Sequence, residues 1–304
     1  MRFTFLFFAV IWIGAVPKAA GAAVSGAPPA KVKEAIEWLT DPGMMSENDR
    51  LKKVVPLGDA AVPWLVQACD KAGEGDGGMI AVALCRINTP LSRESARNII
   101  LENKSRLGAS SVMENYPAEF DLELAPVLIQ TLRGESLAGW AGEGLVRMIE
   151  RRPPLAALVV AALDDGEKDR RYGMRLGEVL ERVSATGSGS PRAGQDYMAH
   201  HNAFWRQWWA RHKDQNGFEW LIEPAASSDP DSRANALQRM GYLHVEEARP
   251  YFQAALKSTV VEDRYWGAAG LSELNGWPHM TERATEESMK AYADAVLQRM
   301  MGAK

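Results

Sequence analysis

The chain has 304 residues, and its 35 basic and 39 acidic side chains are interspersed without a basic run, for a net charge of −4. A nucleic-acid-binding protein normally carries a basic patch or stripe, so this composition argues against DNA or RNA as a partner. The length exceeds that of a typical single compact domain, which a repeat array can accommodate because it grows along one axis.

The first 22 residues are typical of a secretion signal that is removed from the mature protein. Arg2 precedes an apolar run over residues 5–13, and Ala20, Gly21 and Ala22 provide small residues for a cleavage site. The apolar segment, about 14 residues, is shorter than the roughly 20 that a membrane-spanning helix needs. We therefore expect cleavage near Ala22, a secreted or periplasmic protein, and no membrane span in the mature chain.

One helical pattern recurs about five times along the rest of the chain. Residues 140–148 align position by position with residues 266–274, an offset of 126 positions (266 minus 140), or four periods of about 31. The same pattern fits residues 80–87, 173–180 and 233–240. A period in this range is typical of stacked helical repeats.

Each repeat is predicted to be a pair of helices. The first helix carries a proline in its first turn, where a missing backbone N–H is tolerated, as at Pro63, Pro126 and Pro250. The second helix carries small residues such as Gly142 and Gly144. Glycine inside a helix costs about 1 kcal/mol relative to alanine, so its repeated use predicts close approach between neighbouring helices.

These features resemble HEAT-type repeats, including the short variety found in phycobilin-lyase-like proteins. The resemblance rests on the proline-containing first helix, the short acidic and glycine-rich turn, and the way residues 231–237 open a second helix. It covers roughly two thirds of the mature chain and implies an all-α fold, an α-solenoid of HEAT-like helical hairpins with an inserted Trp-rich helix. Such repeats mostly bind proteins, and only some relatives are lyases.

The repeat pattern also indicates how the chain is divided. Residues 23–186 are predicted to form an N-terminal HEAT-like block, although residues 88–120 fit the pattern poorly. Residues 187–217 begin with a flexible break rich in glycine and serine and continue into the Trp-rich helix. Residues 218–304 are predicted to hold the C-terminal repeats and a capping helix over roughly residues 282–301.

The two cysteines, Cys69 and Cys85, fall on consecutive helices that turn back on each other. An exported protein can form a disulfide, but packed helices lie roughly 8–10 Å apart, whereas a disulfide needs Cα atoms within about 6.8 Å. A bridge between Cys69 and Cys85 and a pair of buried thiols both remain open, and the spacing favours the thiols.

Aromatic side chains are concentrated on the helix that follows the break. They recur at steps of three and four residues: Tyr197, His201, Phe204, Trp205, Trp208, Trp209 and His212. One interpretation is an aromatic platform for a sugar, a peptide or a cationic ligand, formed by Trp205, Trp208 and Trp209. The alternative, which we favour, is that the rings fill an irregular gap between the two repeat blocks. This segment also resembles one that follows the repeats in other exported bacterial HEAT-like proteins.

No residue pattern indicates a catalytic site, a cofactor or a metal. The neighbours His200 and His201 point about 100° apart on a helix and do not converge, and neither a His-Glu-x-x-His nor a Cys-x-x-Cys pattern occurs. The glycine-rich turn at residues 73–78 lacks the lysine of a phosphate-binding loop, and residues 187–190 lack the spacing of a nucleophile elbow. We therefore expect a non-enzymatic protein without a cofactor.

A protein partner of unknown identity is the leading functional hypothesis. The second helices are expected to line a concave face, and four arginines lie on them: Arg86, Arg147, Arg175 and Arg239. The alternative for these arginines is ordinary solvated helix charge. Two other functions remain open, a carbohydrate- or ligand-binding module that uses the aromatic helix and a lyase-type or chromophore-handling protein. The sequence does not indicate an oligomeric state.

Overall fold

The computed structural model describes residues 26–41, 43, 46–72, 74–102, 116–134, 138–189, 196–280 and 284–302. Over these ranges the protein is all-helical, with fifteen α-helices and no strand, which confirms the predicted fold class at this level. None of these helices is long and apolar enough to cross a membrane. The predicted secretion signal, residues 1–22, lies outside the described residues.

The chain divides into two compact units, residues 1–105 and residues 106–304. The division falls inside residues 88–120, the stretch that fits the repeat pattern poorly. The glycine- and serine-rich segment that begins at residue 187 therefore lies within the second unit; residues 190–195 of that segment are outside the described ranges.

The first unit is built around one buried helix. Its described residues form five helices: α1 (Ala30–Thr40), α2 (Glu47–Val54), α3 (Val62–Lys71), α4 (Glu74–Ile87) and α5 (Pro90–Leu101). Helix α4 contacts the other four. Its six consecutive residues 80–85 are all buried, as expected for a helix that is apolar on every side.

Within its described residues, the second unit contains ten helices. They are α6 (Asp121–Thr131), α7 (Ala138–Arg151), α8 (Ala156–Gly166), α9 (Arg170–Ser184), α10 (Tyr197–His212), α11 (Glu219–Ala225), α12 (Pro230–Leu243), α13 (Arg249–Ala255), α14 (Val261–Asn275) and α15 (Glu286–Gly302). Consecutive helices pair as α6–α7, α8–α9, α11–α12 and α13–α14. The second members of these pairs contact one another in chain order, α7 with α9, α9 with α12, and α12 with α14, and α15 packs on α14.

Aspartates at helix starts explain where several of these helices begin. Asp169, Asp196 and Asp229 precede α9, α10 and α12, and each carboxylate accepts a hydrogen bond from the backbone N–H three residues later, at 2.8–3.1 Å. These bonds pair amides that the helix itself leaves without an acceptor. The Trp-rich helix α10 therefore has a defined start just after the break.

The prolines of the first helices are placed as predicted in two of three cases. Pro63 and Pro250 lie in the first turn of α3 and α13. Pro126 does not, because α6 begins earlier than expected, at Asp121, and the proline lies inside the helix. Pro126 has no backbone N–H, so the carbonyl of Leu122, four residues earlier, lacks its usual donor within the helix. Leu122 is 58% exposed.

The glycines of the second helices include positions of close approach. A Cβ atom added to Gly270 on α14 would overlap the buried ring of Phe252 on α13. Gly142 on α7 is different, since a Cβ atom there would meet Val179 and Leu132 at 3.8 and 3.9 Å, which is ordinary van der Waals contact.

We expect Gly270→Ala to lower the free energy of unfolding by about 1–3 kcal/mol, because an extra methyl group in a filled core forces its neighbours to shift. Gly142→Ala is the matched control: it should raise stability by about 0.4–1 kcal/mol, because alanine lowers the entropy of the unfolded chain without a clash. Urea denaturation followed by circular dichroism measures both. Equal effects of the two substitutions would contradict the close packing of α13 and α14.

Candidate functional site

Three second helices of the second unit, α7, α9 and α12, bring polar side chains to two neighbouring grooves. The first groove, of about 180 Å³, is lined by Leu132, Ala138, Gly139, Gly142, Arg175, Glu178, Val179 and Arg182. The second, of about 300 Å³, is lined by Glu178, Glu181, Arg182, Asn235, Gln238 and Arg239. Glu178 and Arg182 of α9 border both grooves, so the two form one continuous surface, which we call the second-helix face.

Arg175 lines the first groove, but its side chain is bound within the protein. One guanidinium nitrogen donates to the carbonyl oxygens of Leu132 and Gly134, at 2.7 and 2.6 Å. These carbonyls follow the end of α6, where a helix leaves its last carbonyls without a partner. Arg175 thus ties the end of α6 to α9, the second helix of the next pair.

Arg239 and Arg147 meet at a shared carboxylate that the sequence reasoning did not single out. Their guanidinium groups lie 3.1 and 3.8 Å from the two carboxylate oxygens of Glu150, and both lie over the ring of Tyr242, at 5.6 and 5.3 Å from its centroid. Burial raises the pKa of Glu150, although the two arginines oppose that rise. The Arg239 side chain is only 14% exposed, so this cluster ties α12 to α7.

The fourth predicted arginine, Arg86, is an exposed residue near the end of α4, in the first unit. The structure therefore brings together Arg147 and Arg239, places Arg175 in the adjoining groove, and puts Arg86 in a different unit.

The charged groups most exposed on the second-helix face are acidic. Glu178 and Glu181 are exposed and form no ion pair with any described residue. Partial burial and repulsion from Glu178 raise the pKa of Glu181. Outside the grooves, the same helices expose two aromatic side chains, Tyr242 on α12 at 43% and Trp140 on α7 at 38%. The spacing of Arg175, Glu178 and Arg182 on one side of α9 is the sequence signal that could have identified this surface.

The Trp-rich helix α10 packs on α8 and α9 of the second unit. Trp205 is fully buried and Trp208 is 3% exposed, whereas Trp209 is partly exposed. The Trp208 ring centroid lies 5.8 Å from that of Trp205 and 5.2 Å from that of Trp220. Trp205 is therefore a core side chain, and of the three tryptophans considered for a platform only Trp209 has substantial exposure.

Close contact between α10 and α9 also fixes the position of His201, a residue of α10. A Cβ atom on Gly177 would overlap the imidazole, whose Nε2 has no hydrogen-bond partner among the described residues. The other ring nitrogen, Nδ1, lies 2.9 Å from the hydroxyl oxygen of Ser188. Burial lowers the pKa of His201 below its ordinary value of about 6.5. The ring is therefore neutral in the folded protein near neutral pH.

This burial predicts that acid destabilises the protein through His201. Below about pH 6.5 the unfolded chain binds a proton that the folded chain excludes, so the His201 contribution is present above that pH and is lost as the pH falls. We expect the free energy of unfolding to fall between about pH 7.5 and 5.5. The fall should be smaller in His201→Asn. Equal pH slopes for the native protein and His201→Asn would contradict this.

Cys69 and Cys85 are both buried, and the structure has both side chains as thiols. Burial raises the pKa of the Cys85 thiol to about 12, so the thiolate that reacts with oxidants and alkylating agents is scarce.

No group of three histidine, cysteine, aspartate or glutamate side chains in the described ranges is arranged to hold a metal ion.

Comparison of the chain with protein-family models, with curated proteins and with solved structures finds no match.

Proposed function

We propose that this chain is an exported, non-enzymatic scaffold of HEAT-like hairpins, stacked as an α-solenoid, that binds another protein on its second-helix face. The observation that carries the proposal is the meeting of α7, α9 and α12 along two adjoining grooves. A stacked array would present such grooves on one side, between second helices that cannot fill them alone.

Two ion pairs support the stacked arrangement. Arg233 of α12 pairs with Asp263 of α14, and Arg264 of α14 pairs with Asp294 of α15. In both pairs the partners are 30 residues apart, close to one repeat period. The pairs therefore link each of these helices to its counterpart one repeat later, as expected where equivalent helices stack side by side.

The exposed side chains of α7, α9 and α12 support a protein as the partner. Tryptophan, tyrosine and arginine contribute most to binding energy in protein interfaces, and α7 and α12, which border the grooves, also carry Trp140, Arg147 and Tyr242, partly or largely exposed. The Tyr242 ring lies against two guanidinium groups, which limits the entropy it loses on binding. The exposed Glu178 and Glu181 add a polar rim.

A photo-crosslinking residue at a groove position tests this proposal. We place it at Asn235 or Gln238, which line the second groove, and at the exposed Lys257, which does not, and irradiate cells that export the chain. The expected result is one and the same crosslinked protein from both groove positions and none from Lys257. That product should be lost in Glu178→Lys combined with Glu181→Lys, because both carboxylates line the second groove. Crosslinks of equal yield from Lys257, or none from the groove, would reject the second-helix face.

Arg175 and Arg239 are poor choices for this test, although the sequence pointed to them. Both are bound within the protein, so their removal affects stability together with any partner contact. Glu178 and Glu181 are exposed and form no ion pair with any described residue, so replacing them leaves the ties between helices in place.

Export is a separate part of the proposal. The apolar run at residues 5–13 and the small residues up to Ala22 support it. Mass spectrometry of the protein from an expressing Gram-negative host should find the mature form in the periplasm, beginning near Ala23. A cytoplasmic protein that retains residues 1–22 would contradict export and would leave the argument for the second-helix face unchanged.

A further inference from the structure

A cavity of about 430 Å³ lies beside the Trp-rich helix, and it shares no lining residue with the two grooves of the second-helix face. It is formed by α10, by α11 and by the turn into α12. Its volume falls in the range of about 300–1,000 Å³ typical of small-molecule sites. Its chemistry is set by four rings and two charged side chains: Phe204, Trp208, His212, Trp220, Arg211 and Glu223.

The rings form a closely packed floor. Trp208 and Trp220 are 3% and 2% exposed; their rings meet edge to face with centroids 5.2 Å apart, and the His212 ring centroid lies 5.1 Å from that of Trp208. The indole nitrogen of Trp220 donates to the backbone carbonyl of His212 at 2.9 Å. The floor is therefore apolar and fixed, but it presents little open ring surface. Sugars stack on open aromatic faces, so this floor does not favour a sugar.

The walls carry one cation and one anion that do not pair with each other. The carboxylate of exposed Glu223, on α11, has no hydrogen bond or ion pair with any described residue. Arg211, on α10, is exposed too, and its guanidinium makes only a long bond, at 3.4 Å, to the Gln207 carbonyl of its own helix among the described residues. Each charged group is therefore available to a ligand.

We propose that this cavity binds a small zwitterion with an apolar side chain, an amino acid or a short peptide. Its ammonium group would pair with Glu223, and its carboxylate with the guanidinium of Arg211, which can donate two parallel hydrogen bonds. The apolar side chain would lie on Phe204 and the edges of the indole floor. This occupant matches both charges and the apolar floor, whereas a single ion or a neutral molecule matches only part of them.

Titration calorimetry of the mature protein tests the proposal with a small set of ligands. The set is phenylalanine, alanyl-phenylalanine, and the N-acetylated and C-amidated forms of that dipeptide. We expect saturable binding of phenylalanine or of alanyl-phenylalanine. The ligand with the higher affinity shows which length fits the cavity. Blocking either charged end should weaken binding about tenfold or more, because a charge-assisted hydrogen bond is lost.

Two variants test which side chain binds which end of the dipeptide. In Glu223→Gln the N-acetylated dipeptide should bind as tightly as the unblocked dipeptide, because the partner of the ammonium group is gone. In Arg211→Gln the C-amidated dipeptide should bind as tightly as the unblocked dipeptide, because the partner of the carboxylate is gone. Lys213→Gln is the matched control, an exposed cation next to this helix end that does not line the cavity, and its affinities should equal those of the native protein. Circular dichroism melting checks that the variants are folded. No saturable binding of any zwitterion, blocked forms that bind as tightly, or equal loss in Lys213→Gln would overturn the proposal.

Discussion

Replacing Arg233 by methionine is expected to lower the free energy of unfolding by about 3–5 kcal/mol. Arg233 on α12 donates through Nε to a carboxylate oxygen of Asp263 on α14, at 3.0 Å. Asp263 is 3% exposed, and its only other described donor is the hydroxyl of Ser258, at 2.7 Å. Loss of the guanidinium leaves a buried carboxylate without its counter-charge, which costs far more than the pair itself contributes.

Arg206→Met is the matched control for this substitution. Arg206 also pairs with two acidic side chains, Asp164 and Glu167, but these three side chains are 40%, 77% and 52% exposed. Exposed ion pairs contribute about 0–1 kcal/mol, so this variant should unfold at nearly the native urea concentration. If Arg233→Met cost no more than Arg206→Met, the pair with Asp263 would not be a significant tie between α12 and α14.

The repeat helices were predictable because their pattern is local. Small residues and leucines recur at helical spacing, and the structure has α4, α7, α9, α12 and α14 at the five predicted places. The start of α6 was not predictable from its proline. Residues 121–124 extend this helix by about a turn, since Asp121 is buried and its carboxylate is held by Arg151 at 2.8 Å, a contact 30 residues away in sequence.

The candidate sites were less predictable because they depend on where separate helices meet. The four arginines were chosen by their position in the repeat, and that position does not reveal that Arg175 bonds to backbone carbonyls after α6. Glu150 lies three residues after Arg147, a spacing that allows a pair on one helix. Its second partner, Arg239, is 89 residues away, and only the packing of α12 near α7 brings it there.

One side of helix α9 packs in the core, and the opposite side lies at the surface. Its glycines at 173 and 177 allow α10 to pack closely, with Met198 and His201 against them. Its opposite side presents Glu178 and Arg182 to the two grooves. The Trp-rich helix therefore supports the helix that carries the middle of the second-helix face, and a loosened α10 is expected to disturb that face indirectly.

Trp205→Ala is the substitution that tests this support most directly. Trp205 is fully buried on α10, with ring centroids of Phe204 and Trp208 at 5.0 and 5.8 Å. Truncating a buried tryptophan removes a large apolar surface and leaves a cavity, so we expect a loss of about 3–5 kcal/mol in the free energy of unfolding. Urea denaturation followed by circular dichroism, which does not depend on the deleted indole, measures it.

Two matched variants separate packing from other roles of the ring. Trp205→Phe should cost much less than Trp205→Ala, because the indole N–H has no hydrogen-bond partner in the described part of the chain and its loss leaves no polar group unpaired. Trp209→Ala, on the same helix but partly exposed, should cost about 1 kcal/mol or less. A Trp205→Ala protein as stable as Trp209→Ala would mean that α10 is not wedged against α9, and the second-helix face would then have to be held by α7 and α12 alone.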